Sequence, residues 1–260
     1  MENFQAQVEC LTSKIPVLSK IHFFSETGST NFEAVELGKK GAPHGTLVVA
    51  GAQSAGRGRL GRHWDSPAGR GLYFSLLLRP DLEAAQAPLT TLAAGLGLAQ
   101  AIRGLGVREL VLKWPNDLMV AKKKLGGILT EMYHSGSKVG FLVVGVGINV
   151  SQTAADFSPE VAPLATSLGQ IGVTADRAEL LQRLIPAVLG EINRLAREGA
   201  ASLIQRWEQD SGMLGLEIAY ECDGRRDEGR VLGLAADGKL RVAGRGGEVA
   251  ELLAEDTTLL

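Results

Sequence analysis

Residues 51–64, G-A-Q-S-A-G-R-G-R-L-G-R-H-W, carry the densest chemistry in the chain. The first twelve of them hold four glycines, three arginines and no acid. Glycine lets a backbone turn freely and come close to a ligand. Arg57, Arg59 and Arg62 offer planar forks of donors suited to carboxylates and phosphates. Three like charges repel one another in an empty loop. The stretch therefore predicts a mobile loop that folds over an anion, with a solvated glycine-rich turn as the plainer alternative. Gly56, Gly58 and Gly61 also fit G-x-G-x-x-G, the dinucleotide pattern. That pattern must open an apolar helix. Here H-W-D-S-P-A-G-R-G follows it, so a dinucleotide site is set aside.

A second cluster is V-L-K-W-P-N-D-L-M-V at residues 111–120. Its polar, proline-fixed centre predicts a tight bend between two strands. Lys113 and Asp117 form either an exposed ion pair, worth at most ~1 kcal/mol, or a phosphate contact beside a group that fixes a metal or a ligand amine. Local sequence leaves both readings open. K-K-K-L-G-G-I-L-T-E follows at residues 122–131. Lys122 and Lys123 read as a solvated face, and Lys124 opens a strand whose glycines, Gly126 and Gly127, suit close backbone approach to a ligand. Residues 139–150 form a core strand in which Gly145, Gly147 and the polar Asn149 suit the floor of a cavity. At residues 29–31, Ser-Thr-Asn precedes a helix over residues 31–40, and Thr30 with Glu33 fits a capping box. A helix N-terminus can also hold a polar ligand group, but local sequence favours the cap.

The elements that must position these groups follow from hydrophobic patterning. Residues 1–19 predict one short helix ending before Pro16. Residues 21–24, 46–50 and 71–78 predict strands, the last buried on both faces. The Arg/Gly loop thus joins two core strands, so its ends are fixed and its middle can close as a lid. Residues 88–103 predict a helix with Pro88 at its start and Gly104 near its stop. Residues 162–172 predict a helix and loop. A long helix starts at Asp176 and runs to about residue 197, kinked by Pro186, and a further helix spans residues 200–210. From residue 211 the texture changes to short strands over residues 216–220, 229–234, 239–242 and 248–253. Asp237-Gly238 supplies a hairpin signal there, and the stretch predicts a small β-barrel.

The chain has 260 residues, 45% hydrophobic and 22% charged, which predicts a packed core and one domain plus a small one. A net charge of −2 gives no basic footprint for nucleic acid. Cys10 and Cys222 lie in no metal or redox spacing, which fits a reducing cytosol. No apolar run reaches membrane-spanning length. A cytoplasmic location is the expectation.

Taken together, G-R-G-R-x-G-R-x-W, K-W-P-N-D, K-L-G-G-I-L and G-V-G-I-N resemble the biotin protein ligases (biotin–[acetyl-CoA-carboxylase] ligases). The resemblance covers residues 20–211 through motifs and the remainder through position and texture. It implies an α+β fold: a mixed, largely antiparallel sheet with flanking helices, related to class II synthetases, followed by an SH3-like β-barrel. The implied domains are 1–211, with an extension at 1–19, and 212–260. It implies that biotin, the substrate, is activated with ATP and Mg²⁺ to biotinyl-5′-AMP and passed to a lysine of a biotin carboxyl carrier protein. Family members often form homodimers. Many begin with a DNA-binding helix-turn-helix, for which this chain has no room, so a monofunctional type without DNA binding is the expectation.

The resemblance also implies roles. Ser29, Thr30, Asn31 and Gln53 would bind biotin's ureido head, which overturns the local preference for a cap. Gly56, Arg57, Gly58, Arg59, Lys124 and Gly127 would complete the biotin site. Arg59, Arg62, Trp64, Lys113, Asn116, Asp117 and Asn149 would meet ATP or the adenylate. Lys124, Arg57 and Arg59 would be catalytic, and Asp117 would help hold Mg²⁺. A lipoate ligase and a non-catalytic biotin sensor are the alternatives. The first is disfavoured by the two basic motifs, the second by the presence of Lys124 and Arg57.

Overall fold

The computed structural model describes residues 2–222, 224–254 and 256–259. Two short helices, α1 (Glu2–Glu9) and α2 (Leu11–Lys14), open the chain where one was expected. Phe4 of α1 meets Phe23 edge-on, with ring centroids 5.8 Å apart. Phe23 lies on β1 (Lys20–Phe24), which is followed by α3 (Thr30–Lys39), β2 (Thr46–Ala50) and β3 (Gly71–Leu78). Helix α4 (Ala87–Arg103) leads to β4 (Val111–Lys113), β5 (Asp117–Val120), β6 (Lys123–Ser135) and β7 (Lys138–Asn149). Helix α5 spans Arg177–Ser211.

The seven strands form one sheet in the order β1-β2-β3-β7-β6-β5-β4. Only β1 and β2 run parallel, and every other neighbouring pair is antiparallel. Side chains alternate between the two faces of a sheet. One face carries Leu47, Val49, Leu72, Phe74, Leu76, Val144, Val146 and Ile128, packed with α4 and α5 in the main core. The other carries Val48, Leu77 and Val143, against which α3 places Ala34 and Val35. On that second face, register sets Ser75 opposite Gly145, Tyr73 opposite Gly147 and Gly127 opposite Gly147. Small side chains in neighbouring strands thus leave a trough beside α3.

Three local expectations are corrected. The helix N-cap is Ser29, with no side-chain cap bond. Glu33 accepts from the Thr27 hydroxyl at 2.8 Å instead of closing a box with Thr30. Pro186 sits inside α5 without breaking it, and the kink falls at Gly199, whose φ of 77° a helix cannot hold. Residues 162–172 contain no α-helix, only turns and a 3₁₀ segment at Gly169–Ile171. Their backbone is claimed by Lys124, whose N–H donates to Leu164 O at 2.8 Å and whose carbonyl accepts from Thr166 N at 3.0 Å.

The C-terminal strands are β8 (Glu217–Cys222), β9 (Arg225–Leu234), β10 (Leu240–Gly244), β11 (Val249–Leu252) and β12 (Thr257–Leu259). They pair antiparallel in the order β11-β10-β9-β8-β12. This five-stranded antiparallel meander, with the last strand beside the first, accords with the expected small SH3-like domain, and among the described residues the outer strands β11 and β12 do not pair with each other. Trp114, 2% exposed, ties this sheet to the large one by donating from Nε1 to Gly238 O at 3.0 Å.

Candidate active site

The Arg/Gly loop folds into a small hairpin. Gly58 N donates to Arg62 O at 2.7 Å and Trp64 N to Gly56 O at 2.9 Å. Its base is pinned by Gln53, whose Nε2 donates to Ser66 Oγ at 2.9 Å. The hairpin arches over the glycine trough, where Trp64 lies against Gly147. A Cβ built there would be 2.6 Å from Trp64 Nε1. The cleft beneath is lined by Ser29, Thr30, Asn31, Gln53, Arg57, Gly58, Arg59, Arg62, Trp64, Lys113, Asn116, Asp117, Lys124 and Gly127. These residues come from four separate stretches of sequence.

Two sequence-predicted residues stand outside this lining. Gly56 faces away, its Cβ position only 2.4 Å from Trp64 O, so it shapes the hairpin. Asn149 lines an adjoining, more apolar recess with Trp64, Lys124, Phe157, Val161 and Leu164. Its amide is engaged there. Nδ2 donates to Thr166 O at 2.9 Å, and Oδ1 accepts from Gln152 at 3.0 Å. Asn149 therefore fastens residues 149–166 as a wall.

At the head of the cleft a polar array is fully cross-linked. Thr30 donates through its N–H at 2.8 Å and its hydroxyl at 3.2 Å to Gln53 Oε1. Ser75, fully buried, reaches Thr30 Oγ1 at 2.8 Å and donates to Asn31 Oδ1 at 2.6 Å. Asn31 spends both amide hydrogens, on Leu129 O at 3.1 Å and Glu131 Oε2 at 2.8 Å. The Asn31 side chain thus holds the wall of the pocket, with both amide hydrogens engaged. Its space is secured by Gly145, where a Cβ would lie 1.9 Å from Asn31 Oδ1.

At the other end the cleft is cationic. Lys124 Nζ lies 2.6 Å from Asp117 Oδ1 and 5.3 Å from the centre of the Trp64 ring. This resolves the pairing left open by the sequence. Lys113 and Asp117 face each other across the β4–β5 hairpin, yet the close ion pair is with Lys124. Lys113 donates to Leu259 O at 3.4 Å, and burial lowers its pKa most, while Asp117 acts to raise it. Asn116 donates to Ile128 O at 2.8 Å and accepts from Arg59 at 3.3 Å. It locks the Trp114–Pro115 bend, a cis peptide, and steadies one arginine.

Several residues in or behind the cleft had no role in the sequence reading. Thr258 and Leu259 of β12 close the cationic end. Arg59 donates to Thr257 O at 3.4 Å, and Arg62 donates to Thr258 Oγ1. No local signal marks β12. Ser75 had a signal, as the one residue with a small polar side chain in the otherwise apolar run 71–78. Glu131 had only its place at the end of the K-L-G-G-I-L strand. Among the described residues, no group of three or more His, Cys, Asp or Glu gathers to hold a metal ion.

Comparison with known proteins agrees with this architecture. Residues 23–149 match the biotin/lipoate A/B protein ligase family. The biotin–[acetyl-CoA-carboxylase] ligase of Paracoccus denitrificans is 33% identical over 86% of this chain and 94% of its own length. The bifunctional ligase/repressor BirA of Bacillus spizizenii is 37% identical over 82% of this chain, which spans 66% of that protein. The Aquifex aeolicus biotin protein ligase in complex with biotin and ATP superposes with a TM-score of 0.79 at 30% identity, covering 94% of this chain and 99% of that one. The chain thus belongs to the biotin protein ligases of the biotin/lipoate A/B protein ligase family.

Proposed function

We propose that this protein activates biotin with ATP and transfers it to a lysine of a biotin carboxyl carrier protein. The observation that carries this reading is one cleft with two unlike ends, a cross-linked hydrogen-bonding head and a cluster of Arg57, Arg59, Arg62, Lys113 and Lys124. A neutral polar head group and an anionic tail fit that pair of ends. In the first step a biotin carboxylate oxygen bonds to the α-phosphorus of ATP, the bond to the β-phosphate oxygen breaks, and pyrophosphate leaves. In the second, the unprotonated lysine amine of the carrier bonds to the acyl carbon, AMP leaves, and the amine's proton passes to solvent.

The barrier in the first step is largely electrostatic, since one anion attacks another. Pre-arranged positive charge lowers it. A single Lys–phosphate pair at 4 Å contributes roughly 4 kcal/mol at an effective dielectric of about 20. Lys124 would lie beside the biotin carboxylate and the α-phosphate and stabilise the charge that develops there. Asp117 keeps its ammonium aimed there before ligand arrives. Ser29, Thr30 and Gln53 would meet the ureido head, with Asn31 and Ser75 holding them. Gly127 leaves room for the ligand chain. Arg57, Gly58 and Arg59 would close over the carboxylate and phosphates, keeping water from the anhydride. Arg62, Lys113 and Asn116 would serve the phosphate end, with Trp64 and the Asn149 recess taking the adenosine.

Magnesium binds through one or two carboxylates plus substrate phosphates and keeps several waters. One carboxylate in the cleft, Asp117, fits an ion that enters with the nucleotide. Asp117 would hold it, and it would neutralise phosphate charge. We further place the catalytic unit at residues 1–211 and a C-terminal unit at 212–260, the latter completing the phosphate end through β12. No helix among the described residues is long and apolar enough to cross a membrane.

The test is pyrophosphate release from ATP and Mg²⁺ with biotin or lipoate and no carrier. Release with biotin is the expected result. Release with lipoate alone assigns the other acid, and silence with both despite tight biotin binding makes the protein a biotin-binding sensor.

A further inference from the structure

Glu131 lies on the trough side of β6, opposite Val143. One of its oxygens, Oε2, meets two partners. It accepts from Asn31 Nδ2 at 2.8 Å and lies 3.7 Å from Arg57 Nη2. The side chain is 29% exposed and that of Arg57 46%, so the pair stands at the rim of the cleft. The other cations contact different groups: Lys124 meets Asp117, Lys113 meets Leu259 O, and Arg62 meets Thr258. Arg57 is the loop arginine beside the head of the cleft, and Glu131 joins it to the sheet.

Behind Glu131 the contacts run without a gap. Gln53 accepts from Thr30, Ser75 bridges Thr30 and Asn31, and Asn31 donates to Glu131. A neutral acceptor would suffice to hold Asn31. A carboxylate at this point does more, because its charge also attracts the Arg57 guanidinium at 3.7 Å, whose fork of donors suits an anion in the cleft. We propose that Glu131 is a positioning residue that couples the polar head of the cleft to closure of the Arg57 loop. The coupling acts through the oxygen shared by Asn31 and Arg57. A ligand that orders Thr30 and Gln53 thereby orders the lid, and a displaced lid loosens the head. The role of this coupling in retaining an adenylate rests on the biotin-ligase reading above. The contact itself does not.

The test uses the full chain and four proteins: wild type, Glu131→Gln, Arg57→Ala and the double variant. Glutamine keeps the size of the side chain and its acceptor for Asn31 but removes the charge. Two quantities are read: the rate at which trypsin cuts the loop after Arg59 and Arg62 in the ligand-free protein, and the rate at which bound biotinyl-adenylate escapes. Glu131→Gln should keep the melting temperature within about 4 °C of wild type, since the Asn31 bond becomes a neutral one, and raise both rates roughly threefold to fivefold, the scale of one half-exposed ion pair. In the Arg57→Ala background it should add nothing further, because the partner is already gone. Unchanged loop cutting in Glu131→Gln, or effects that add fully in the double variant, would overturn the proposal. Loop cutting needs no catalysis, so it reports on Glu131 even if the wild type forms no adenylate, an outcome that would sink the biotin-ligase reading alone.

Discussion

Gly145→Ala places a methyl group where the architecture leaves no space for one. The new Cβ would sit 1.9 Å from Asn31 Oδ1, 2.7 Å from Asn31 Cγ and 3.0 Å from Asn31 Nδ2. Asn31 cannot yield cheaply, because its amide makes three hydrogen bonds, one of them to the Glu131 carboxylate. Two neutral bonds at ~1 kcal/mol each and one charge-assisted bond at ~2 kcal/mol sum to roughly 4 kcal/mol. For a chain of this size that lowers the melting temperature by about 10 °C. The same displacement drags Thr30 and Ser75, so biotin affinity should fall as well. Calorimetric melting and titration with biotin read the two effects. Asn31→Ala in the same chain removes the clash, so the double variant should lose less stability than the sum of the single losses. A Gly145→Ala protein that melts within about 1 °C of wild type, or a double variant with fully additive losses, would refute the steric reasoning.

Other outcomes follow from the same geometry. Gly147→Ala would press on Trp64, which belongs to the loop, so adenylate should escape faster while melting changes little; a drop as large as that at Gly145 would contradict this. Lys124→Ala should slow pyrophosphate release roughly a thousandfold, the equivalent of ~4 kcal/mol of charge stabilisation, with a far smaller loss of biotin affinity. Equal losses in the two would remove Lys124 from the transition state. The β5–β6 turn holds Ala121 at φ 48° and Lys122 at φ 65°, a conformation that Asn-Gly adopts readily. Ala121→Asn with Lys122→Gly should therefore gain about 1 kcal/mol in denaturant unfolding, and a lower midpoint would show that the lysine turn is not strained.

Much of the machinery is encoded locally. The strands at residues 46–50 and 71–78 follow from apolar runs, and the loop between them from its glycines and arginines. The hairpin at Trp114–Asp117 follows from Pro-Asn-Asp. These depend on near neighbours along the chain, so residue type and spacing suffice. The kink at Gly199 instead of Pro186 shows the limit: a helix packed along its length tolerates one lost bond, but not a residue at positive φ.

Tertiary structure decided which group each side chain meets. The Asn31 amide meets Glu131, 100 residues away, and the buried Ser75, and neither partner can be read from its neighbours in sequence. Lys113 and Asp117 are neighbours in sequence, yet Asp117 pairs with Lys124. Arg59 and Arg62 reach β12 across 198 and 196 residues, and nothing in T-T-L marks that strand as a wall of the cationic end of the cleft. Such pairings depend on sheet order and register, which place distant backbone within about 5 Å. A local pattern fixes which face a residue takes, but only the assembled sheet sets what stands opposite it.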